Sequence, residues 1–236
     1  MCMSYSHKWL LCGLVTLLSF SLAFSAPLSL YPDALKFNPT TLKVSENLLF
    51  PGDLPIGSTD APITIVDYSS FSCTHCKAAF EKLILPVYEK YGRTGKVMLI
   101  MRDFPLDKLS FNASVFLMCY RKNTMPNDEH VISLIRKLFD VGNNAKNKED
   151  ADKMFDSIIS DANLHGSAKE KFLSCTEDLG VKDEVLYSKL FGIKKVGIEG
   201  TPVLFINGER YTGPLKFSSF EKKIEKILND KRTIEG

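Results

Sequence analysis

The sequence lacks the features that would place it in several common classes of protein. Its 236 residues contain no internal repeat and no low-complexity tract, which excludes repeat architectures. The formal net charge is only +2, and the positive side chains are not clustered. Because phosphate binding needs clustered positive charge, we expect no nucleic-acid partner. With 44% hydrophobic and 25% charged residues, the chain is typical of one globular domain with a large insertion, or of two small domains.

The chain also lacks an apolar run long enough to span a bilayer comfortably, which takes about 20 residues. Its N-terminal apolar run over 9–24 is preceded by Lys8 and ends in small residues before Pro27. This pattern predicts a cleavable signal peptide over residues 1–26, with an uncleaved N-terminal membrane anchor as the alternative. Residues 27–50 follow as a lead-in segment to which we assign no function.

Cysteine is scarce, and the predicted cleavage makes it scarcer. Of six cysteines, removal of the signal peptide leaves four: Cys73, Cys76, Cys119 and Cys175. An even number of cysteines suits an exported protein in an oxidising compartment, where thiols pair.

Two short apolar runs and the helical pattern between them predict a βαβ unit. The run over 63–68 is rich in β-branched residues, as in a strand buried on both faces. Apolar residues then recur at helical spacing as far as Gly92, with a kink expected at Pro86. A second strand is predicted over 97–101.

The second half of the chain is first helical and then strand-like. The pattern is helical throughout 109–195, which predicts an all-helical insertion. A strand at 203–206 precedes Asn207-Gly208, a strong two-residue hairpin signal, and we expect Tyr211-Thr212 to form the partner strand. An amphipathic helix completes a ββα unit. The predicted α/β domain therefore comprises 51–108 and 196–236, interrupted by the insertion at 109–195.

The motif Cys73-Thr74-His75-Cys76 lies where the first buried strand gives way to a helix. A thiolate at position 73 would be stabilised by the positive end of that helix. Only the thiolate attacks disulfides, and a stabilised leaving thiolate makes the corresponding disulfide more oxidising. Cys76, one turn further along, would be the shielded resolving thiol, and His75 could add positive charge or a hydrogen bond near the Cys73 sulfur.

Three other uses of a C-x-x-C motif are less favoured by this sequence. Half of a zinc site is disfavoured because no second C-x-x-C or H-x-H pair occurs, so we expect no metal. Haem attachment needs histidine directly after the second cysteine, and this position is Lys77. A purely structural disulfide across two residues would be strained and local.

These features together resemble the DsbA family of periplasmic disulfide oxidases. The resemblance rests on the cysteine motif after an apolar strand, the helical insertion, and Gly200-Thr201-Pro202-Val203 before a strand and an Asn-Gly hairpin, and it covers roughly residues 50–230. It implies a thioredoxin fold with an all-helical insertion between the βαβ and ββα units. Family members most often have proline in place of Thr74. Because the two middle residues tune the redox potential, this difference leaves the oxidising strength open.

The resemblance also implies roles for three further residues. Thr201-Pro202 matches the cis-proline loop that faces the cysteines and pairs with the substrate backbone. Asp67 lies where related proteins bury an acid beneath the second cysteine. Burial would raise the pKa of this carboxyl and suit it to accept the Cys76 proton. The alternative for Asp67 is a strand-end residue hydrogen-bonded to backbone.

Cys119 and Cys175 lie on two predicted insertion helices, and neither has a partner nearby in sequence. In an exported protein we expect a structural disulfide between them, with buried free thiols as the alternative.

We therefore expect a periplasmic protein disulfide oxidoreductase that donates its Cys73–Cys76 disulfide to reduced or unfolded exported proteins through a mixed disulfide. By resemblance, a membrane quinone-linked oxidase of the DsbB type would reoxidise it, and no soluble cofactor is needed. One alternative is an isomerase or thioredoxin-like reductant that uses the same pair. Another is a redox-inactive peptide-binding module.

Overall fold

A computed structural model describes residues 53–235 of the chain. The predicted signal peptide and lead-in segment lie outside the described residues. The strands are β1 (Leu54–Ile56), β2 (Ile63–Ser69), β3 (Val97–Asp103), β4 (Val203–Ile206) and β5 (Glu209–Arg210). The helices are α1 (Thr74–Ala79), α2 (Leu85–Val87), α3 (Lys108–Thr124), α4 (Asp128–Asn144), α5 (Lys148–Asp161), α6 (Gly166–Glu177), α7 (Leu179–Phe191) and α8 (Phe217–Glu235).

The strands form one mixed sheet in the order β1-β3-β2-β4-β5. β2 and β3 are parallel, and the helical segment that begins with α1 connects them, which confirms the predicted βαβ unit. β4 runs antiparallel to β2, and Asp67 pairs with Leu204. The sheet therefore brings the chain after residue 200 alongside the strand that leads into the cysteine motif.

Both faces of β2 are buried, as its mostly apolar sequence predicts. Ile63 and Ile65 contribute to the main hydrophobic cluster, whereas Val66 and Tyr68 belong to a second cluster on the other side of the sheet. Side chains alternate along a strand, so Asp67 shares the face of Ile65. Cys76 and Phe80 of the following helical segment belong to the hydrophobic cluster on this face.

The helix after Cys73 continues from α1 to Gly92 but is not regularly α-helical. Two π-helical turns, Phe80–Ile84 and Tyr88–Gly92, flank the short α2. Pro86 lies in α2 and cannot donate a backbone hydrogen bond. The irregularity predicted at this proline therefore takes the form of wider turns on either side of it.

Five α-helices, α3 to α7, separate β3 from β4. A π-helical turn that ends at Val196 follows α7, so the helical stretch extends from Lys108 to Val196. Asp107 begins α3 with a capping box in which it exchanges hydrogen bonds with Ser110. A disulfide between Cys119 on α3 and Cys175 on α6 joins two of these helices.

Two strands differ from the sequence-based expectation. The partner strand of the hairpin is Glu209–Arg210 rather than Tyr211-Thr212, because the two-residue turn pairs Ile206 directly with Glu209. Tyr211 still donates a backbone hydrogen bond to Leu204 at 2.8 Å. β1 was not predicted, since a three-residue strand containing proline has no detectable alternation.

Candidate active site

Cys73 is the N-cap residue of α1. Its backbone is extended (φ −88°, ψ 114°), and its sulfur accepts a hydrogen bond from the backbone N–H of Cys76 at 3.3 Å. The Cys73 side chain is partly exposed, and both motif cysteines are present as free thiols. A sulfur that accepts a bond from the first turn of a helix is placed where negative charge is favoured.

Cys76 lies one turn further along α1 and is fully buried. Burial raises the pKa of its thiol to about 12, and the negative charge of Asp67 adds to this rise, while the polar side chains of Thr201 and Ser69 oppose it in part. The two thiols of one motif therefore differ in access and in charge preference. An incoming sulfur reaches Cys73 first.

Asp67 is buried beside Cys76 on the helix-facing side of β2. Burial raises the pKa of its carboxyl to about 7, with partial opposition from the Ser69 side chain. Within the described residues, its Oδ1 accepts no hydrogen bond. The alternative role for Asp67 was a hydrogen bond to backbone at the end of the strand. Among the described residues, its Oδ1 forms no such bond. A carboxyl that titrates near neutrality can take up or release a proton beside a buried thiol.

Thr201 faces the cysteine motif from the loop that precedes β4. The Thr201–Pro202 peptide bond is cis. The Thr201 carbonyl oxygen lies 3.6 Å from the sulfur of Cys73 and accepts a hydrogen bond from it. A backbone acceptor beside a reactive sulfur is suited to pair with an extended peptide that approaches that sulfur.

Thr74 and His75, between the two cysteines, are both exposed. In the described part of the chain, neither side chain forms a hydrogen bond with the sulfur of Cys73, which bonds to Cys76 and Thr201 instead. The structure thus places His75 at the rim of the site, open to solvent and to an incoming chain.

Sequence inspection missed the residues of α4 that contact the active-site loop. The Nδ2 of Asn143 donates a hydrogen bond to the carbonyl oxygen of Phe71 at 2.8 Å, and Lys77 forms an ion pair with Asp140 at 2.6 Å. A Gly-Asn-Asn sequence near a helix end resembles an ordinary helix terminus. Nothing in the local sequence distinguishes residues that make these contacts from residues that only cap the helix.

The predicted disulfide between Cys119 and Cys175 is present, with an S–S distance of 2.01 Å. Cys119 belongs to the same hydrophobic cluster as Phe116 and Phe172, whose rings meet edge to face with centroids 4.7 Å apart. Between residues 53 and 235, no three His, Cys, Asp or Glu side chains are grouped so that they could bind a metal ion. No helix within that range is long and apolar enough to cross a membrane.

A mixed sheet with a buried and a partly exposed thiol at the start of a helix, opposite a cis-proline, defines a thiol–disulfide oxidoreductase with a thioredoxin fold. Residues 50–226 match the family model described as Thioredoxin, and the chain belongs to this family. This match confirms the expected fold class.

Similarity to individual proteins identifies the kind of thiol–disulfide oxidoreductase more closely. The chain is 26% identical over 194 residues to a protein of Rickettsia bellii provisionally named a protein-disulfide oxidoreductase, a stretch that covers 80% of this chain and 69% of that protein. Among solved structures, alpha-DsbA1 of Wolbachia pipientis is similar with a TM-score of 0.69 and 26% identity, covering 81% of this chain and all of that one. Oxidised BdbD of Bacillus subtilis has the same fold, with a TM-score of 0.62, 16% identity, and coverage of 75% and 94%. The chain is a DsbA-like protein-disulfide oxidoreductase, and its reaction is thiol–disulfide exchange.

Proposed function

We propose that the protein acts as an oxidase, donating a Cys73–Cys76 disulfide to reduced exported proteins. The observation that carries this direction is the position of the Cys73 sulfur, which accepts the Cys76 N–H at the start of the helix. This arrangement stabilises the thiolate that is released when the substrate becomes oxidised. A couple with a stabilised reduced form is a strong oxidant.

The proposed reaction begins when a substrate thiolate attacks the sulfur of Cys73 in the disulfide form. The new S–S bond joins substrate to Cys73, the Cys73–Cys76 bond breaks, and its electron pair leaves with Cys76. The Cys76 thiol is favoured in its protonated form, because burial raises its pKa to about 12. A second substrate thiolate then attacks the substrate sulfur of the mixed disulfide and releases Cys73. The substrate loses two electrons, and the enzyme pair gains them.

Asp67 would donate a proton to the Cys76 sulfur and accept one from it. When Cys76 leaves, it needs a proton, and when it attacks a stalled mixed disulfide, it must lose one. A buried carboxyl with a pKa raised to about 7 can exchange that proton inside the core. In this proposal, Thr201 and Pro202 hold the substrate backbone, and Thr74 and His75 tune the potential from the rim.

The proposed setting is the periplasm, reached through the predicted signal peptide at 1–26. Reoxidation would come from a membrane quinone-linked oxidase of the DsbB type, because each substrate disulfide leaves the enzyme pair reduced. Fusing residues 1–50 to a reporter enzyme that is active only after export tests whether the predicted signal peptide directs export. Mixing the reduced protein with membranes that contain or lack a quinone-linked oxidase tests the proposed route of reoxidation. No export, or equal reoxidation by both membranes, would contradict the corresponding step.

Oxidation of a reduced, unfolded protein by stoichiometric amounts of the oxidised enzyme tests the central proposal. Wild type should form substrate disulfides, whereas Cys73→Ser and Cys76→Ser should not, because neither variant can hold the Cys73–Cys76 disulfide. The double variant C119A/C175A is the matched control, since it removes two cysteines away from the site. A redox-inactive binding module predicts that Cys73→Ser retains full activity, and that result would reject the oxidase.

Equilibration with glutathione separates an oxidase from a thioredoxin-like reductant. An oxidase remains largely in the dithiol form at ratios of oxidised to reduced glutathione where a reductant is already oxidised. A pair that is mostly disulfide in such a buffer would overturn the proposed direction but leave thiol–disulfide exchange intact.

A further inference from the structure

We propose that the C-terminal part of α4, through Asn143 and Gly142, is a positioning element that sets how oxidising the Cys73–Cys76 pair is. The inference deepens the proposed oxidase function and rests on it. It gives the helical insertion a direct role at the site, in addition to enlarging the domain.

The first contact is the hydrogen bond from Asn143 to the active-site loop. Its Nδ2 donates to the carbonyl oxygen of Phe71, two residues before Cys73, and also to the Phe139 carbonyl oxygen of its own helix, both at 2.8 Å. One amide group therefore ties the last turns of α4 to the loop that places the reactive sulfur.

The second contact is the close approach of two backbones at Gly142. A Cβ at this position would lie 2.2 Å from the carbonyl oxygen of Phe71 and 2.9 Å from the backbone nitrogen of Ser72. Both neighbours are backbone atoms and cannot move aside as a flexible side chain could. Glycine thus permits the approach that brings Asn143 within hydrogen-bonding distance of the loop.

Two further contacts hold the same elements together. The ring of Phe71 packs against that of Phe139 on α4, with centroids 5.0 Å apart. Lys77, on the first helical turn after Cys73, forms an ion pair with Asp140 at 2.6 Å. α4 therefore contacts the chain on both sides of Cys73, two residues before it and four residues after it.

These contacts bear on redox balance because the two states need different sulfur positions. In the dithiol state, Cys73 accepts the Cys76 N–H at 3.3 Å, and its own N–H donates to the Ser70 carbonyl oxygen at 3.1 Å. A loop held in this N-cap geometry favours the reduced form. Losing the Asn143 hydrogen bond frees the loop and leaves the Phe71 carbonyl without that donor. The preference for the dithiol should fall.

The test is to measure, in the Asn143→Ala variant, the equilibrium constant for reduction of the Cys73–Cys76 disulfide by glutathione. A hydrogen bond contributes about 1 kcal/mol, so removing one that forms only in the dithiol state lowers the constant for reduction by glutathione by roughly fivefold, which is the largest fall expected. Asn123→Ala is the matched control. Its Nδ2 donates to the carbonyl oxygen of Cys119 four residues earlier, at 2.8 Å, on α3. Asn123 thus makes the same bond within its helix, with no bond to the active-site loop, and its removal should leave the constant unchanged.

Gly142→Ala perturbs the same contact without removing a polar group. Alanine favours the α-helix over glycine, so α4 itself is not weakened, but the added methyl group must displace the loop or the helix. We expect the constant for reduction by glutathione to fall in this variant as well, and urea unfolding should show a cooperative transition like that of wild type.

The outcomes distinguish this inference from the proposed function. A wild-type constant in both Asn143→Ala and Gly142→Ala, or an equal fall in Asn123→Ala, would overturn the positioning role. Failure of wild type to oxidise a reduced polypeptide would reject the oxidase function, while a selective shift of the glutathione constant would still establish that α4 tunes the pair.

Discussion

The sulfur of Cys73 lies 3.6 Å from the carbonyl oxygen of Thr201, a residue 128 positions later in the chain. This contact places a backbone acceptor beside the partly exposed thiol, whereas Cys76 is enclosed by protein on all sides. The Cys73 sulfur is therefore open to a substrate on one side, with a backbone acceptor and the buried Cys76 thiol beside it.

The two active-site thiols should react with iodoacetamide at very different rates. At pH 8, Cys73 is expected to be alkylated in the folded dithiol protein while Cys76 is not. Burial raises the pKa of Cys76 from 9.0 to about 12, which lowers its thiolate fraction about 1000-fold, and access is blocked as well. Mass spectrometry of peptides after timed labelling measures both rates. Cys73→Ser should resist labelling until unfolded; similar labelling rates for the two thiols would contradict the assignment.

Replacing Asp67 with Asn should stabilise the dithiol protein increasingly as pH rises from 4 to 8. The folded pKa of about 7 exceeds the unfolded value of 3.8, so the carboxyl costs no stability below pH 4 and its full cost above pH 7. That cost is on the order of 4 kcal/mol. Urea unfolding of both proteins at several pH values gives the difference.

Asp103→Asn provides the comparison for this pH profile. Burial raises the pKa of Asp103 to about 6, so the gain from its replacement should level off about one pH unit lower. A gain for Asp67→Asn that is the same at pH 4 and pH 8 would show that its carboxyl does not titrate abnormally.

Arg102→Met should destabilise the fold strongly. Arg102 is fully buried on β3, where its Nε and Nη2 donate to the two carboxylate oxygens of Asp53 at 2.8 and 2.7 Å. Replacing Arg102 takes from the buried Asp53 carboxylate both hydrogen bonds that this guanidinium donates, at a cost of about 3–5 kcal/mol. The free energy of unfolding in urea measures the loss.

Two variants test whether the loss at Arg102 comes from the buried charge. The double replacement D53L/R102M should lose less than Arg102→Met alone, because it removes the buried carboxylate together with its ion-pair partner. Lys153→Met, at a pair with Glu149 that is mostly exposed, should change stability by less than about 1 kcal/mol. Equal losses in the single and double variants would show that shape rather than charge dominates.

Removing the disulfide of the insertion with C119A/C175A should lower the free energy of unfolding by about 2–4 kcal/mol. The bridge joins residues 56 positions apart, and its loss releases the unfolded chain from that constraint. Thiol–disulfide exchange at Cys73 should persist, since neither residue belongs to the site. Unfolding curves and substrate oxidation are measured on the same preparation. Unchanged stability would mean that the bridge constrains the unfolded chain little.

Local sequence pattern was sufficient for most elements of the fold. The apolar run before the motif predicted β2, the helical spacing after it predicted the helix from α1 to Gly92, and the two-residue turn predicted the hairpin. These signals depend on side-chain periodicity within a few residues, which is why they can be read along the chain. β1 has only three residues, too few for any periodicity.

The sequence by itself determined that two cysteines lie at a strand-to-helix junction and that Asp67 shares a strand face with the core. The family resemblance placed Thr201-Pro202 near the cysteines, but only the tertiary structure decided which atoms meet. The Thr201 carbonyl oxygen lies beside the Cys73 sulfur and Asn143 donates to the Phe71 carbonyl oxygen, across separations of 128 and 72 residues. Such contacts depend on how the insertion packs against the sheet. No local periodicity encodes that packing, because it results from the combined burial of side chains from distant elements.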